Sequence, residues 1–284
     1  MDRLVESSFK ILDLARSGMN ITAHSRTVPL VGHLDIAEII SALGSGYWRV
    51  HHFNLIDSTQ RALVSAVTAG DASAGDVYLA EYQSAGRGRG NRSFESEPGE
   101  GMLLSAVISP TGQPENRWGW VPLLTGVAAC SAIVKATGVT ANLKWPNDVM
   151  VDENKLGGII AEKIGEKIVI GIGINCLQDE MRLPVPGSTS LQIHSSEPVS
   201  REKLVIEFLR ELKWICDEWE LKPFPVENKY RQLCSTLERD VRLTLPDGRE
   251  LVGRAGAISS SGGLVLVDGQ EFIAADVTHL RISK

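Results

Sequence analysis

The chain has 284 residues, of which 43% are hydrophobic and 23% are charged, with a formal net charge of −6 at pH 7. This composition is that of a globular protein with room for one large domain and a smaller companion. Its acidic balance argues against non-specific nucleic-acid binding as the main activity. The four cysteines are widely spaced, which predicts neither a disulfide framework nor a zinc site. The N-terminal stretch lacks the apolar core of a signal peptide, and no segment is expected to reach the length of a membrane span, so we expect a cytoplasmic protein.

Residues 1–46 are predicted to form a helical N-terminal extension. Apolar residues recur at helical spacing over residues 5–12 and again over residues 36–43, where Gly44 marks an end. The segment has no excess of basic residues, whereas a DNA-reading helix-turn-helix needs a basic face. We therefore expect no DNA-binding domain here.

Residues 47–236 are predicted to form the main domain, which begins with alternating strands and helices. One of Asp57, Ser58 and Thr59 is expected to cap the first helix, and Gly70 to end it. The predicted order is a strand, that helix, two apolar strands and a buried helix, over residues 47–57, 58–69, 76–82, 102–108 and 118–137.

The second part of this domain is predicted to be a meander of apolar strands followed by helix. Three strands, over residues 143–151, 155–164 and 167–175, are joined by turns too short for a parallel crossover, so they must pair antiparallel. A helix is expected over residues 200–221, and after it only a brief helical pattern over residues 229–233.

The last segment, residues 237–284, has a different pattern of apolar and polar residues. Short stretches of alternating apolar and polar residues are separated by tight turns, and Asp268-Gly269 is a strong two-residue hairpin signal. Such a pattern predicts a small β-barrel domain.

A loop rich in glycine and arginine follows the second predicted strand. We call residues 86–92, GRGRGNR, the Gly/Arg loop. Glycine lets the chain approach a ligand closely, and arginine adds bidentate positive charge, so the loop suits a phosphate or carboxylate. A disordered arginine-glycine tract that binds RNA is the rival interpretation. It is disfavoured because this loop lies between a buried strand and Phe94 of an ordered domain.

Three further motifs carry candidate chemistry. Residues 144–148, KWPND, are either a structural turn with Trp145 in the core or a place for Lys144 and Asp148 beside a phosphate and Mg²⁺. Residues 155–162, KLGGIIAE, place a lysine two residues before paired glycines, which mark close approach of a ligand or backbone. Residues 171–175, GIGIN, are not a dinucleotide fingerprint because no helix follows, and they suit a strand that lines a pocket.

Taken in order, DST at 57–59, EYQSAGRGRG at 81–90 and the three motifs above resemble the biotin protein ligase (biotin–[acetyl-CoA-carboxylase] ligase) family. The resemblance covers about residues 47–284. It implies an α+β fold of the class II synthetase-like biotin/lipoate ligase type. That fold is a mixed, largely antiparallel sheet with flanking helices, plus a small C-terminal β-barrel. It also implies an activity in two steps, in which biotin and MgATP give biotinyl-5′-AMP and a lysine of a carrier protein then takes the biotinyl group.

The resemblance also implies roles for individual residues. The catalytic group would be Lys155, with Arg87 and Arg89. The biotin site would be lined by Ser58, Thr59, Gln83, Gly86, Arg87, Arg89, Lys155, Gly158 and Gly171. ATP would be held by Arg92, Phe94, Lys144, Asn147 and Asn175, and Mg²⁺ by Asp148.

The chain departs from the family pattern at three positions. Gln60 stands where the family often has asparagine, Phe94 where it has tryptophan, and Gly90 where an arginine is common. Phe94 keeps the stacking surface but loses the indole N–H. A less charged loop at Gly90 is expected to change how firmly it holds the adenylate.

The expected partner is the biotin carboxyl carrier protein domain of a biotin-dependent carboxylase, and the expected small molecules are biotin, ATP and Mg²⁺. The resemblance predicts no DNA or membrane partner and a monomer or weak homodimer. Two alternatives remain open at this point: a lipoate ligase of the same fold, and a non-catalytic RNA- or ligand-binding module.

Overall fold

The computed structural model describes residues 32–90, 92–183 and 185–280. The helix predicted over residues 5–12 lies outside the described residues. Two sheets organise the described part, one of seven strands and one of five.

The seven-stranded sheet has the order β1-β2-β3-β7-β6-β5-β4. Its strands are β1 (Arg49–Phe53), β2 (Asp76–Ala80), β3 (Gly101–Ile108), β4 (Asn142–Lys144), β5 (Asp148–Val151), β6 (Asn154–Ile164) and β7 (Lys167–Asn175). Strands β1 and β2 pair in parallel, and a crossover helix connects them. The other neighbouring strands of this sheet pair antiparallel. The prediction of a mixed, largely antiparallel sheet is confirmed.

The described helices are α1 (Ile36–Leu43), α2 (Thr59–Ala69), α3 (Trp120–Thr137), α4 (Leu191–His194), α5 (Arg201–Leu221) and α6 (Pro223–Leu233). Local signals set the ends of α2, because the Ser58 side chain caps its first turn and Gly70 ends it in the left-handed conformation, with φ of 86°. The predicted α1 ends at Gly44, and buried Ile39 anchors this helix, which packs against α5.

The two faces of the seven-stranded sheet carry different partners. Helices α3 and α5 pack on one face in the main core, whereas α2 packs on the other over a small cluster that includes Leu63, Val107 and Val169. Val107 and Val169 are register partners on β3 and β7. Because side chains alternate along a strand, the residues two positions away, Ser105 and Gly171, also face the α2 side.

Helix α3 is long and apolar enough to cross a membrane by length and composition, contrary to the expectation that no segment reaches that length. However, 72% of this helix is buried within the protein. It packs against α5, α6 and the seven-stranded sheet, and this packing explains why both sides of the helix are apolar.

Two sequence predictions in this region were wrong in detail. The strand predicted over residues 143–151 is two strands, β4 and β5, joined by a turn in which Trp145 is buried and its Nε1 donates to the Gly262 carbonyl. Helix α6 begins at Pro223 rather than near residue 229. Proline is tolerated at the first helical position because that N–H has no intrahelical partner.

The C-terminal strands form a five-stranded antiparallel sheet with the order β11-β10-β9-β8-β12. They are β8 (Asp240–Thr244), β9 (Glu250–Ile258), β10 (Leu264–Leu266), β11 (Glu271–Phe272) and β12 (Asp276–His279). The predicted turn at Asp268-Gly269 joins β10 to β11. This small sheet agrees with the predicted barrel-like unit, and its buried residues, such as Val241 and Leu264, join the main core.

A buried ion pair ties several of these elements together. Arg201, at the start of α5, donates to the Glu81 carboxylate at 2.8 Å and to the Gly32 carbonyl at 2.6 Å. The other Glu81 oxygen accepts from the Leu34 backbone N–H at 2.7 Å. The pair therefore joins the segment before α1, the end of β2 and the start of α5.

Candidate active site

A cavity lies on the α2 side of the seven-stranded sheet, beneath the Gly/Arg loop. It contains about 590 Å³ of space, including its open mouth. Most of the predicted biotin-binding residues line it, namely Ser58, Thr59, Gln83, Arg87, Arg89, Lys155, Gly158 and Gly171. Three of the predicted ATP-binding residues also line it: Arg92, Phe94 and Asn147.

Glycines on β7 make the floor of this cavity possible. A Cβ atom added at Gly171 would lie 2.6 Å from Gln60 Oε1, and one added at Gly173 would lie 2.6 Å from the Phe94 ring. Real Cβ atoms do not approach other heavy atoms this closely, so both positions require glycine in this arrangement. The Phe94 ring therefore packs directly on the strand and forms an apolar wall of the cavity.

One end of the cavity is polar and tightly connected. The Thr59 backbone N–H and hydroxyl both donate to Gln83 Oε1, at 2.7 and 3.0 Å. The Thr59 hydroxyl also lies 2.9 Å from the Ser105 hydroxyl. With its carbonyl oxygen engaged, Gln83 keeps its Nε2 donors free of partners within the described residues. This end therefore offers fixed donors and acceptors to a polar ligand group.

The arginines of the Gly/Arg loop are held by two carboxylates. Arg87 donates to Glu162 at 3.1 Å, while Arg89 and Arg92 both donate to Asp276 on β12. Burial raises the pKa of Asp276, but the hydrogen bonds from the two arginines outweigh burial and leave that pKa below its ordinary value. The loop therefore brings three guanidiniums to the cavity, and two carboxylates, Glu162 and Asp276, pair with them.

Lys155 stands where the cavity meets a neighbouring one. It lines both, and its ammonium group pairs with the Asp148 carboxylate. The neighbouring cavity is also lined by Phe94 and Asn175. Asn175 donates to the Thr189 carbonyl at 2.9 Å, but its buried Oδ1 lacks a partner within the described residues. This oxygen can accept a hydrogen bond from a ligand amine.

The acidic side chains near the cavity suit a metal ion that binds together with a substrate phosphate. Within residues 32–90, 92–183 and 185–280, no three histidine, cysteine, aspartate or glutamate side chains are grouped to hold an ion. Asp148 is a single carboxylate beside the cavity, and it already pairs with Lys155. Mg²⁺ is commonly bound by one or two carboxylates together with substrate phosphates. Asp148 fits that role, and the site fits MgATP as a substrate rather than a resident ion.

Four predicted residues lie outside the lining of the main cavity. Asn175 lines the neighbouring cavity, and Asp148 pairs with Lys155 but is in neither lining. Lys144 lines a different cavity, near His279 of the small sheet. Burial, with Lys144 and Arg239 adding repulsion, lowers the pKa of His279 to about 4. Gly86 lies just outside the lining, where a Cβ atom would be 2.2 Å from the Phe94 carbonyl oxygen.

Sequence reasoning missed Gln60, Ser105 and Gly173 as cavity residues. The signal for Ser105 was present, because it is a lone hydroxyl in the apolar strand β3. Gln60 was noted only as a departure from the family pattern, and Gly173 only as part of a glycine-containing strand.

Burial makes thiol chemistry unavailable at three of the four cysteines. It raises the pKa of Cys130, Cys176 and Cys216 to about 12, so these thiols stay protonated near neutral pH. The cavity itself contains no cysteine among its lining residues. The cations Arg87, Arg89 and Lys155 in that lining suit chemistry that depends on positive charge and positioning.

Comparison with known proteins first defines the class. Residues 52–179 match the model of the biotin/lipoate A/B protein ligase family. The match includes α2, the Gly/Arg loop and strands β3, β6 and β7, all of which supply residues to the cavity lining. The fold is therefore that of a ligase of this class.

Sequence relatives narrow the class to one family. The biotin–[acetyl-CoA-carboxylase] ligase of Mycobacterium tuberculosis is 30% identical over 92% of this chain and 100% of its own length. The bifunctional ligase/repressor BirA of Escherichia coli is 30% identical over 82% of this chain and 73% of its own. The chain belongs to the biotin protein ligase family.

Solved structures agree with this assignment. Biotin protein ligase from Aquifex aeolicus, determined with biotin and ATP, is 26% identical over 82% of this chain and 99% of that one, with a TM-score of 0.70. Biotin protein ligase from Leishmania major, determined with biotinyl-5-AMP, is 22% identical with a TM-score of 0.59, and this likeness supports the fold alone.

Proposed function

We propose that this protein is an ATP-dependent ligase that forms biotinyl-5′-AMP from biotin and MgATP and then transfers biotin to a lysine of a biotin carboxyl carrier protein. The observation that carries the proposal is one cavity lined both by the neutral polar side chains of Thr59 and Gln83 and by the cations Arg87, Arg89 and Lys155. A ligand that has a neutral polar head and a carboxylate matches that lining.

The position of the cationic residues at the cavity supports a role in charge neutralisation and alignment. In the first step a biotin carboxylate oxygen attacks the α-phosphorus of ATP, and pyrophosphate leaves. Two anions must approach for this to happen, so Lys155, Arg87 and Arg89 stabilise the charge that develops between them. In the second step the carrier lysine amine attacks the acyl carbon, and AMP leaves. Neither step needs a nucleophile from the enzyme.

Other predicted roles follow from position. Ser58, Thr59 and Gln83 would bind the ureido head, and Gly158 and Gly171 would leave room for the ring and tail. Arg92, Phe94, Asn147 and Asn175 would surround the nucleotide, with Asp148 near its metal. The partner class is supported by the relative named for acetyl-CoA carboxylase. That the protein binds no DNA and is a monomer or weak homodimer stays a prediction.

Pyrophosphate release with different acids tests the proposed function. We expect release with ATP and biotin, little release with ATP and lipoate, and biotin labelling of a carrier domain that depends on both ATP and biotin. A carrier domain whose acceptor lysine is replaced by arginine is the control and should stay unlabelled. Release with lipoate at a rate equal to or above that with biotin would favour a lipoate ligase instead.

Arg89→Gly is expected to speed dissociation of biotinyl-5′-AMP by about 10-fold or more, because a charge-assisted hydrogen bond to the phosphate is lost. The measurement is release of radiolabelled adenylate from the preformed complex. Arg249→Gly is the matched control, because Arg249 is exposed and pairs with Asp247 in its own turn.

Arg89 also contacts Asp276, so a second variant must separate the two interactions. Asp276→Asn removes the acid and leaves the arginine, and it should hold the adenylate at least as long as the parent protein does. Equal dissociation rates for Arg89→Gly and the parent would remove Arg89 from adenylate retention.

A further inference from the structure

The turn between β4 and β5, residues 145–147, leads to two predicted site residues. Asn147 lines the cavity, and Asp148, which follows it directly, pairs with Lys155. Strand β6 holds the end of this turn, because the Ile159 N–H donates to the Asn147 carbonyl at 2.9 Å and Asn147 Nδ2 donates to the Ile159 carbonyl at 3.2 Å. The contacts that hold the start of the turn therefore help to decide where Asn147 and Asp148 lie.

The start of the turn is held from the C-terminal part of the chain. The Trp145 backbone N–H donates to the Thr236 hydroxyl oxygen at 3.0 Å, and the Trp145 indole N–H donates to the Gly262 carbonyl at 3.1 Å. Trp145 is 1% exposed and Thr236 is fully buried, so water cannot replace either partner. Because a buried N–H without an acceptor is costly, the Thr236 hydroxyl fixes the position of the Trp145 backbone.

His279, on β12, sets the direction of the Thr236 hydroxyl. Its Nε2 lies 3.1 Å from Thr236 Oγ1. Burial, with repulsion from Lys144 and Arg239, lowers the pKa of His279 to about 4, so the ring is neutral near pH 7 and one of its nitrogens can accept. The Thr236 oxygen already accepts from Trp145, so donation of its single hydrogen to Nε2 satisfies both groups. The hydrogen bonds thus connect the turn to the C-terminal sheet.

We propose that Thr236 is a positioning residue for adenylate formation. Its hydroxyl, oriented by His279, fixes the β4–β5 turn and so places Asn147 and Asp148 at the cavity. This inference rests on the proposed function, in which those two residues serve the nucleotide and its metal. Thr236 and His279 are not in the lining of the main cavity, so they act through the backbone of Trp145. A displaced turn should weaken the use of MgATP and spare biotin, because the residues proposed to bind the biotin head lie on other elements.

Thr236→Val tests this inference by comparing the two substrates. Valine keeps the shape of threonine but removes the hydroxyl, so the KM for MgATP in biotin-dependent pyrophosphate release should rise at least about 10-fold. The Kd for biotin, measured by calorimetry without ATP, should stay within about 2-fold of the parent value. Thr125→Val is the matched control, because Thr125 is also fully buried but its hydroxyl donates to the Val121 carbonyl within α3. The control should keep both parent values.

Thr236→Ser separates positioning from packing. Serine keeps the hydroxyl but removes a buried methyl group, so packing alone predicts that serine disturbs the protein more than valine does. Positioning predicts the reverse order, with the KM for MgATP of Thr236→Ser within about 3-fold of the parent value. Hydrogen exchange adds a measurement without turnover, because the Trp145 amide should exchange at least about 10-fold faster in Thr236→Val and not in Thr236→Ser.

Two variants at His279 keep the test valid if Thr236→Val does not fold. His279→Phe keeps a ring but removes the acceptor of the Thr236 hydroxyl, so it should raise the KM for MgATP at least about 3-fold. His279→Gln offers a side-chain oxygen that can accept from that hydroxyl, so its KM should lie closer to the parent value than that of His279→Phe.

The outcomes separate this inference from the proposed function. If the unaltered protein releases no pyrophosphate with biotin and ATP, the proposed function fails and the role of Thr236 fails with it. If the unaltered protein is active, a parent KM for MgATP in folded Thr236→Val or in folded His279→Phe overturns the role of Thr236. An equal weakening of biotin and MgATP in Thr236→Val also overturns it, because a general structural effect would then explain the loss. In both of these cases the proposed function stands.

Discussion

Lys155→Ala is expected to lower the rate of biotinyl-5′-AMP formation by at least about 100-fold while leaving the protein folded. Lys155 lines both the main cavity and the neighbouring one, so its ammonium group lies where carboxylate and phosphate would meet. Removing a preorganised positive charge from that place leaves two anions to approach each other without compensation. The measurement is biotin-dependent pyrophosphate release under single-turnover conditions.

Lys163→Ala provides the matched control for this experiment. Lys163 lies on the same strand, β6, but its partner is Glu115 and it lines neither cavity. The control should keep the parent rate, and thermal unfolding of both variants should show that the fold is intact. Near-normal pyrophosphate release by folded Lys155→Ala would exclude Lys155 from the adenylation step.

Arg201→Ala is expected to lower the free energy of unfolding by roughly 3–5 kcal/mol, because it leaves the Glu81 carboxylate buried without its cation. Side chains of both partners are at most 4% exposed, so water cannot replace the lost interaction. Urea denaturation at neutral pH measures the change. Arg210→Ala, on the same helix, is the control, since half-exposed Arg210 should contribute at most about 1 kcal/mol.

The loss of unfolding free energy caused by Arg201→Ala should be smaller at acidic pH. Burial raises the pKa of Glu81, but hydrogen bonds from Leu34 and Arg201 outweigh burial and lower that pKa in the folded protein. A lowered pKa means that the stabilisation is complete above the pKa of unfolded glutamate and is lost as pH falls through the folded value. Two further groups, His33 and His52, face the same carboxylate.

Urea denaturation is therefore compared at pH 7.5 and at pH 4, which lie above and below the ordinary glutamate pKa of about 4.3. The difference in unfolding free energy between variant and parent should be smaller at pH 4. A loss below about 1 kcal/mol at neutral pH would mean that the pair contributes no more than a surface salt bridge.

Local chemistry accounts for the elements that the sequence predicted well. Ser58 and Gly70 mark the ends of α2 by capping and by left-handed backbone, and both signals act within one turn. The first part of helix α6 was not predicted because Pro223 and Pro225 are usual helix breakers, although the first turn tolerates them. Whether a proline ends or begins a helix depends on the packing that follows it.

The candidate site was predictable only in part. Ordered motifs led to Arg87, Arg89 and Lys155, which the fold brings to one cavity. Lys144 and Asp148 are register partners at the β4–β5 turn, yet Lys144 lies against the small sheet while Asp148 pairs with Lys155. Sequence spacing cannot show which of two cavities a side chain at a turn faces, because the packing of a distant sheet decides it.

The contact of Arg89 and Arg92 with Asp276 has a consequence for how any phosphate is bound. An anion that accepts from the Nη2 groups of these guanidiniums competes with a carboxylate that already accepts from them, so the measured affinity reflects the difference between two anions. Asp276 belongs to β12, so the C-terminal sheet sets one side of that exchange equilibrium. The residue at position 276 of this sheet therefore influences nucleotide affinity, because its carboxylate competes with the phosphate for the same positive charge.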